Sequence, residues 1–327
     1  MTLEDFLAEW ENNSSKLLVH TSGSTGKPKP IWVEKKKMLN SARITCDFLG
    51  LKPGDTTLLC MPLDYIAGKM VVVRSLERNM KLISVKPNGH PLASLSEPPT
   101  FAAMVPLQVY NSLKEEKERN LLRQIRHLII GGGAIDDMLA KELSDFPNYV
   151  WSTYGMTETL SHIALRRING NEASDWYTPF DSVEISQTAD GCLIIDAPHV
   201  HEGTLATNDR VETRTSPDTG KKQFRVLGRK DNVIDSGGIK IQIEEVEAIL
   251  KPILKERFAI TKAPDEKFGE TVVLVTESHD TAKVAEICAN SLPKYWIPKE
   301  YRHVDKIPMT ETGKIKRASL AQMLGNN

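Results

Sequence analysis

Thr21-Ser22-Gly23-Ser24-Thr25-Gly26-Lys27-Pro28-Lys29 decides how the rest of the chain is read. Four hydroxyl side chains, two glycines and two lysines fall within nine residues, directly after the apolar run Leu17-Leu18-Val19, which reads as a buried strand. Glycines permit the positive φ values that turn N–H groups toward one point, and hydroxyls and ammoniums add donors there. A concave, cationic loop of this kind suits a polyphosphate. By composition alone a solvated Gly/Ser turn is the commoner reading. The glycine spacing also excludes a Walker loop, which needs G-x-x-x-x-G-K-[ST].

Working outward, 327 residues allow two or three domains and a large core. Hydrophobic content of 40% with 26% charged residues fits an ordered enzyme, not a disordered chain. A net charge of −1 offers no case for nucleic acid or an anionic membrane surface. No apolar run approaches the roughly 20 residues that span a bilayer, so no membrane insertion is expected. The start Met1-Thr2-Leu3-Glu4-Asp5 lacks a signal peptide's basic and apolar stretches. Cys46, Cys60, Cys192 and Cys288 show no C-x-x-C or metal-ligand spacing and read as reduced core residues of a cytoplasmic protein.

Leu3, Phe6, Leu7 and Trp10 mark an amphipathic helix over 3–13. A strand at Ile31-Trp32-Val33 and a helix over 36–49 follow the loop, and Pro53-Gly54-Asp55 turns the chain into a strand over 56–61. Apolar strands are then expected at 81–85, 101–105, 127–130 and 149–154, with helices at 70–78, 107–119 and 135–143. This rhythm predicts an α/β fold with a helix-covered mixed β-sheet. After about residue 180, short strands at 182–186, 192–196, 203–206 and 223–227 form a β-rich subdomain. A boundary near Arg229-Lys230-Asp231 separates a core over 1–229 from a small α+β domain over 230–327, with helices near 242–251 and 281–291.

Further motifs follow in order. Gly131-Gly132-Gly133 succeeds one expected strand, and Tyr154-Gly155-Met156-Thr157-Glu158-Thr159 closes another, at the strand end where α/β sheets bind ligands. Asn208-Asp209 comes next, then Gly228-Arg229-Lys230-Asp231-Asn232, Ser236-Gly237-Gly238-Ile239-Lys240-Ile241, Leu292-Pro293-Lys294-Tyr295-Trp296-Ile297-Pro298, and Pro308-Met309-Thr310-Glu311-Thr312-Gly313-Lys314-Ile315-Lys316-Arg317. Taken singly, a triple glycine or a lone aspartate means little. In this order, together with T-S-G-S-T-G-x-P-K, they resemble the adenylate-forming superfamily of acyl-CoA synthetases, carrier-loading adenylation domains and firefly luciferase, from residue 16 nearly to the end.

The resemblance implies an activity and roles. ATP and a carboxylic acid would give an acyl-adenylate and pyrophosphate, and coenzyme A would then take the acyl group. Thr21, Ser22, Gly23, Ser24, Thr25, Gly26 and Lys27 would hold phosphate, and Gly131, Gly132 and Gly133 would flank adenine. Tyr154 and Gly155 belong to the Y-G-x-T-E signature, in which Thr157 would touch phosphate and Glu158 would hold Mg²⁺, whose charge offsets that of the phosphates. Asp209 and Arg229 would bind ribose. Asp231 would be the pivot of a mobile C-terminal domain, and Gly237 and Gly238 would line the pantetheine path. Lys314 matches the catalytic lysine, whose ammonium over the developing charge is worth about 10²–10³ in rate. Lys316 and Arg317 read as solvated charges.

Two departures stand out. Family members carry a long N-terminal subdomain before the phosphate loop, of which this chain has about twenty residues. That lobe holds a dimer contact or part of the CoA path in relatives, so a homodimer stays open. In Met61-Pro62-Leu63-Asp64-Tyr65-Ile66-Ala67-Gly68, Tyr65 takes the place of the family's histidine at the acyl pocket. Asp64 reads either as a binding group or as the cap of the next helix. P-L-x-x-I-A-G-K with a following arginine, Y-G-M-T-E-T and G-R-K-D-N-V-I-D-S-G-G-I-x-I resemble most the o-succinylbenzoate–CoA ligases of menaquinone biosynthesis. Arg74, beside Met70-Val71-Val72-Val73, is costly to bury without an anion. An internal carboxylate or a second substrate carboxylate would serve, and Lys69 would assist or face solvent. A carrier-loading enzyme and a catalytically silent acyl-adenylate-binding protein are the rival readings.

Overall fold

A computed structural model of the chain describes residues 1–20, 30–310, 314–323 and 325. Its largest sheet has seven strands in the order Lys81–Ser84, Thr56–Leu59, Phe101–Met104, His127–Ile130, Tyr149–Gly155, His162–Arg167 and Thr178–Pro179. The first five are parallel and the last two antiparallel, so the sheet is mixed, as expected. Phe101–Met104 and His127–Ile130 are buried at all four positions. Such unbroken apolar runs belong to strands covered on both faces. Phe6, Met38, Ala42 and the helix Ile66–Arg78 pack on one side, while Leu113, Leu122, Leu139 and Leu143 pack on the other.

The antiparallel pair Lys16–His20 and Pro30–Glu34 flanks the phosphate-loop stretch, whose residues 21–29 lie outside the described ones. A four-stranded antiparallel sheet follows, in the order Glu184–Gln187, Cys192–Asp196, Thr204–Thr215 and Lys222–Arg229. The C-terminal part is α+β. Five strands (Val233–Ser236, Ile239–Gln242, Phe258–Asp265, Gly269–Thr276 and Glu300–His303) join the helices Ile243–Leu250 and Thr281–Ser291 around a core of Ile241, Val246, Leu274 and Cys288.

Four expectations change. The helix expected over 107–119 is two, Pro106–Lys114 and Glu116–Gln124, parted by Glu115 in an extended conformation. The break turns Glu118 inward, where its carboxylate accepts from Ser112 Oγ at 3.0 Å and from the Leu92 amide at 3.2 Å, with His90 Nδ1 2.8 Å away. The strand expected at 203–206 runs on to Thr215. The helix expected from residue 70 starts at Ile66, because Gly68 sits against the preceding backbone. Asp64 does not cap that helix. Tyr65 is the capping residue, without a side-chain bond, and Asp64 pairs with the Met1 amine at 3.3 Å.

Gly68 admits the helix because a Cβ there would stand 2.4 Å from the Pro62 carbonyl oxygen and 2.9 Å from that of Met61. Both are backbone atoms with little room to retreat. Gly68→Ala gains helix propensity, yet should lose about 1–3 kcal/mol overall by overpacking. Chemical denaturation measures this; unchanged or raised stability would refute the close approach.

Candidate active site

Asp209 and Arg229 face each other across neighbouring antiparallel strands. Arg229 Nη1 donates to Asp209 Oδ1 at 3.2 Å, and Tyr154, at the end of its strand in the large sheet, donates its hydroxyl to Asp209 Oδ2 at 2.6 Å. One carboxylate thereby ties the large sheet to the four-stranded one. Burial, then the Asp209 charge, pushes the Tyr154 phenol far up, so it stays a donor. Arg229 Nη2 reaches Asp231 Oδ2 at 3.2 Å, and Asn208 Nδ2 donates to the same oxygen at 3.1 Å. Asp231 lies in the short 3₁₀ turn Lys230–Asn232 that leads into the C-terminal part. Gln242 braces this junction by donating to the Arg229 carbonyl at 2.9 Å and accepting from Arg210 at 3.2 Å.

Lys314, 105 residues past Asp209 in the chain, lies within electrostatic reach of Asp209 and Arg229. Burial pushes its ammonium below the usual lysine range, with Asp209 raising it and the Arg229 guanidinium lowering it. Both neighbours belong to the expected ribose pair. Thr310 and Lys314 close a small loop: the Thr310 amide donates to the Lys314 carbonyl at 2.7 Å, and the Lys314 amide donates to Thr310 Oγ1 at 2.9 Å. Residues 311–313, between them, lie outside the described ones.

The turn after Tyr154 is built by Thr159, whose buried hydroxyl accepts from the Met156 amide at 3.1 Å and lies 2.8 Å from the Ser161 carbonyl. Gly155 is required there, since a Cβ would stand 2.3 Å from that carbonyl oxygen. Thr157 and Glu158 are half-buried on this turn. The Glu158 carbonyl accepts from His201 Nδ1 at 3.2 Å, and its carboxylate makes no ion pair among the described residues. No group of three or more metal-binding side chains exists among them. A free carboxylate beside a hydroxyl fits Mg²⁺ held mostly by phosphate oxygens and water, the usual arrangement for this ion. Gly131, Gly132 and Gly133 follow His127–Ile130 at the same sheet edge, where Gly131 passes close to Thr153 and Gly132 takes φ +75°.

Tyr65 forms a β-bridge with His20, the last described residue before the phosphate loop. Lys69 and Arg74 are each only 2% exposed, for different reasons. Lys69 lies beneath the N-terminal helix, 3.9 Å from Glu9 and 5.1 Å from the centre of the Phe6 ring. Arg74 donates through Nη2 to Ser161 Oγ at 2.5 Å, three residues past Glu158, while its Nε is buried without a hydrogen-bond partner among the described residues. Burial lowers it to about 10. No carboxylate pairs with it among the described residues. Gly237 and Gly238, at φ +59° and +85°, form the two-residue turn of the hairpin Val233–Ser236 and Ile239–Gln242, the geometry Gly-Gly favours. Among the described residues no hydrogen bond joins this turn to the Asp209 cluster.

Ser161, His162 and His201 escaped sequence reading. Ser161 follows T-E-T-L closely enough for its position to have signalled it, but the histidines carry no local pattern.

Comparison with known proteins gives the family. The profile of the family described as AMP-binding enzyme matches residues 7–187, more than half of the chain. A 2-succinylbenzoate–CoA ligase of Bacillus thuringiensis is 24% identical over 97% of this chain and 71% of its own length. The crystal structure of an acyl-CoA synthetase (AMP-forming)/AMP-acid ligase II-like protein from Dyadobacter fermentans is 34% identical with a TM-score of 0.65, covering 98% of this chain and 93% of that one. The o-succinylbenzoate coenzyme A synthetase of Bacillus subtilis, solved with ATP and magnesium, shares the fold at 24% identity and a TM-score of 0.74, over 93% of this chain and 69% of that one. The chain belongs to the AMP-binding enzyme family, the adenylate-forming enzymes that its motifs resemble.

Proposed function

We propose that this chain is an AMP-forming acid–CoA ligase, and that its acid is o-succinylbenzoate or a closely similar aromatic dicarboxylate. The observation that carries the activity is the meeting of Lys314 with Asp209 and Arg229. A desolvated ammonium beside a ribose-binding pair can stabilise charge developing on the acid, the bridging oxygen and the α-phosphate. Thr157 and residues 21–27 would hold the phosphates, Gly131, Gly132, Gly133, Tyr154 and Gly155 would border the base, and Glu158 would hold Mg²⁺. That ion, when bound, neutralises phosphate charge.

The thioester step uses the same site after the C-terminal body, 230–327, turns about Asp231 and brings Gly237 and Gly238 to the thiol. The reading of two bodies, 1–229 and 230–327, is supported by their separate cores and by the short turn through Asp231 that connects them, while polar contacts also join them. Lys251 pairs with Asp136 at 2.7 Å across the two bodies, as Arg210 does with Gln242. The substrate reading is supported by the relatives' printed names and by Arg74, a buried cation with no carboxylate partner among the described residues. Pyrophosphate release over a panel of acids, with and without CoA, tests both. Release that requires a phosphopantetheinylated protein in place of CoA would favour carrier loading, and no release with any acid would favour a silent binding protein.

Lys314→Ala should abolish adenylate formation while largely sparing thioester formation from pre-made acyl-adenylate. Equal loss in both half-reactions would sink the two-state assignment. Because burial lowers the Lys314 ammonium, adenylation should decline on the alkaline side before an ordinary lysine would lose its proton. A pH–rate profile of adenylate formation in wild type and Lys314→Arg checks this, since arginine keeps its charge there and should flatten the alkaline limb.

Arg74→Ala should raise the KM for o-succinylbenzoate by about 1.5–3 kcal/mol, the range for a hydrogen bond to a charged group, and leave the KM for ATP nearly unchanged. A mono-carboxylate benzoate analogue should suffer little from the change. The same loss with both acids would reduce Arg74 to a structural residue.

A further inference from the structure

Arg74 is the end of a chain of buried polar groups that crosses three elements. Its Nη2 donates to Ser161 Oγ at 2.5 Å; Ser161 Oγ lies 3.2 Å from His162 Nδ1; His162 Nε2 lies 3.1 Å from Thr45 Oγ1; and Thr45 Oγ1 donates to the Ser41 carbonyl at 3.1 Å. The helix Lys35–Leu49 supplies Ser41 and Thr45, the helix Ile66–Arg78 supplies Arg74, and His162 opens the strand His162–Arg167. Thr45, His162 and Arg74 are buried, while Ser161 is half-buried, at the open end.

Both ends settle which way every hydrogen points. A guanidinium can only donate and a carbonyl can only accept. Ser161 therefore accepts from Arg74 and sends its own hydrogen to His162 Nδ1. Thr45 spends its hydrogen on Ser41 and accepts from His162 Nε2–H. One tautomer of the neutral ring satisfies this, protonated on Nε2 only. Burial, and then the Arg74 charge, holds the ring well below its ordinary pKa, which keeps it in the neutral form the chain needs.

We infer that His162 is a positioning residue for acid selection: by taking the Ser161 hydrogen it turns that hydroxyl's lone pairs to Arg74 and fixes the guanidinium, whose buried Nε has no partner among the described residues, for the second carboxylate of the acid. This rests on reading Arg74 as the partner of that carboxylate. Without the ring acceptor, the Ser161 hydrogen competes for the position Arg74 uses, and the guanidinium is held less well.

The test measures KM for o-succinylbenzoate, a mono-carboxylate benzoate analogue and ATP, together with Tm, in His162→Phe, His162→Gln, Thr45→Val and Arg74→Ala. Breaking the chain with phenylalanine should raise KM for the dicarboxylate about tenfold, the scale of one hydrogen bond to a charged group, and leave the other two unchanged. Glutamine both accepts and donates and should recover most of the loss. Thr45→Val keeps the shape and removes the acceptor of Nε2–H, so it should give a smaller rise for the dicarboxylate alone even if the phenylalanine variant does not fold. Equal loss for both acids with a lowered Tm, glutamine no better than phenylalanine, or an unchanged KM in Thr45→Val would overturn the inference. Arg74→Ala separates the two levels. If it weakens both acids alike, the substrate reading fails and the positioning role falls with it; if it alone is selective, only the role of His162 fails.

Discussion

Asp209 accepts from Tyr154 and Arg229 together, and the geometry of the site depends on that double acceptance. Burying a carboxylate costs several kcal/mol unless it is paired and hydrogen-bonded. Here the partners come from two different sheets, so satisfying the charge also fixes the angle between them. Arg229 in turn grips Asp231, which begins the passage to the C-terminal part. A shift of the large sheet, of the four-stranded sheet or of that passage would each leave the carboxylate less well satisfied. Lys314 adds a second cation against the same acid. With Asp231 counted, the cluster sets two cations, Arg229 and Lys314, against two carboxylates, so its charges balance and each carboxylate is answered within the cluster.

Much of this was legible in the sequence, because the decisive stretches are local. Y-G-M-T-E-T closes a strand, G-G-G follows a strand and the parallel strands read as apolar runs, all as found. The losses fall where tertiary contacts override local pattern. His162–Arg167 was missed because Arg166 and Arg167 interrupt its apolar run. The structure reconciles them with a sheet by laying Arg166 over Tyr177 and Arg167 over Tyr149 and Trp151. The broken helix after Pro106 was missed because the inward-turned Glu118 that goes with the break is held by His90 and Leu92 from a distant loop. The convergence of Lys314 with Asp209 has no local signature, and only the family resemblance implied it. The phosphate loop, the clearest signal in the sequence, lies outside the described residues.

One helix carries two buried cations five positions apart, and the contrast between them is informative. Lys69 is answered from within: Glu9 stands 3.9 Å away and the face of Phe6 lies against it. Arg74 is answered by one hydroxyl. A buried guanidinium held by a neutral group keeps most of its desolvation cost, several kcal/mol against a total stability of about 5–15 kcal/mol. A leucine or methionine at position 74 would fill similar space without that cost, so packing does not account for an arginine. The neutral, oriented His162 beside it does not balance the charge, and burial keeps the Cys46 thiol neutral as well. On the proposed reading of Arg74, that cost would be recovered when an acid's second carboxylate pairs with it and would remain for acids that lack one. An energetic defect of the free protein would in that way become discrimination between substrates.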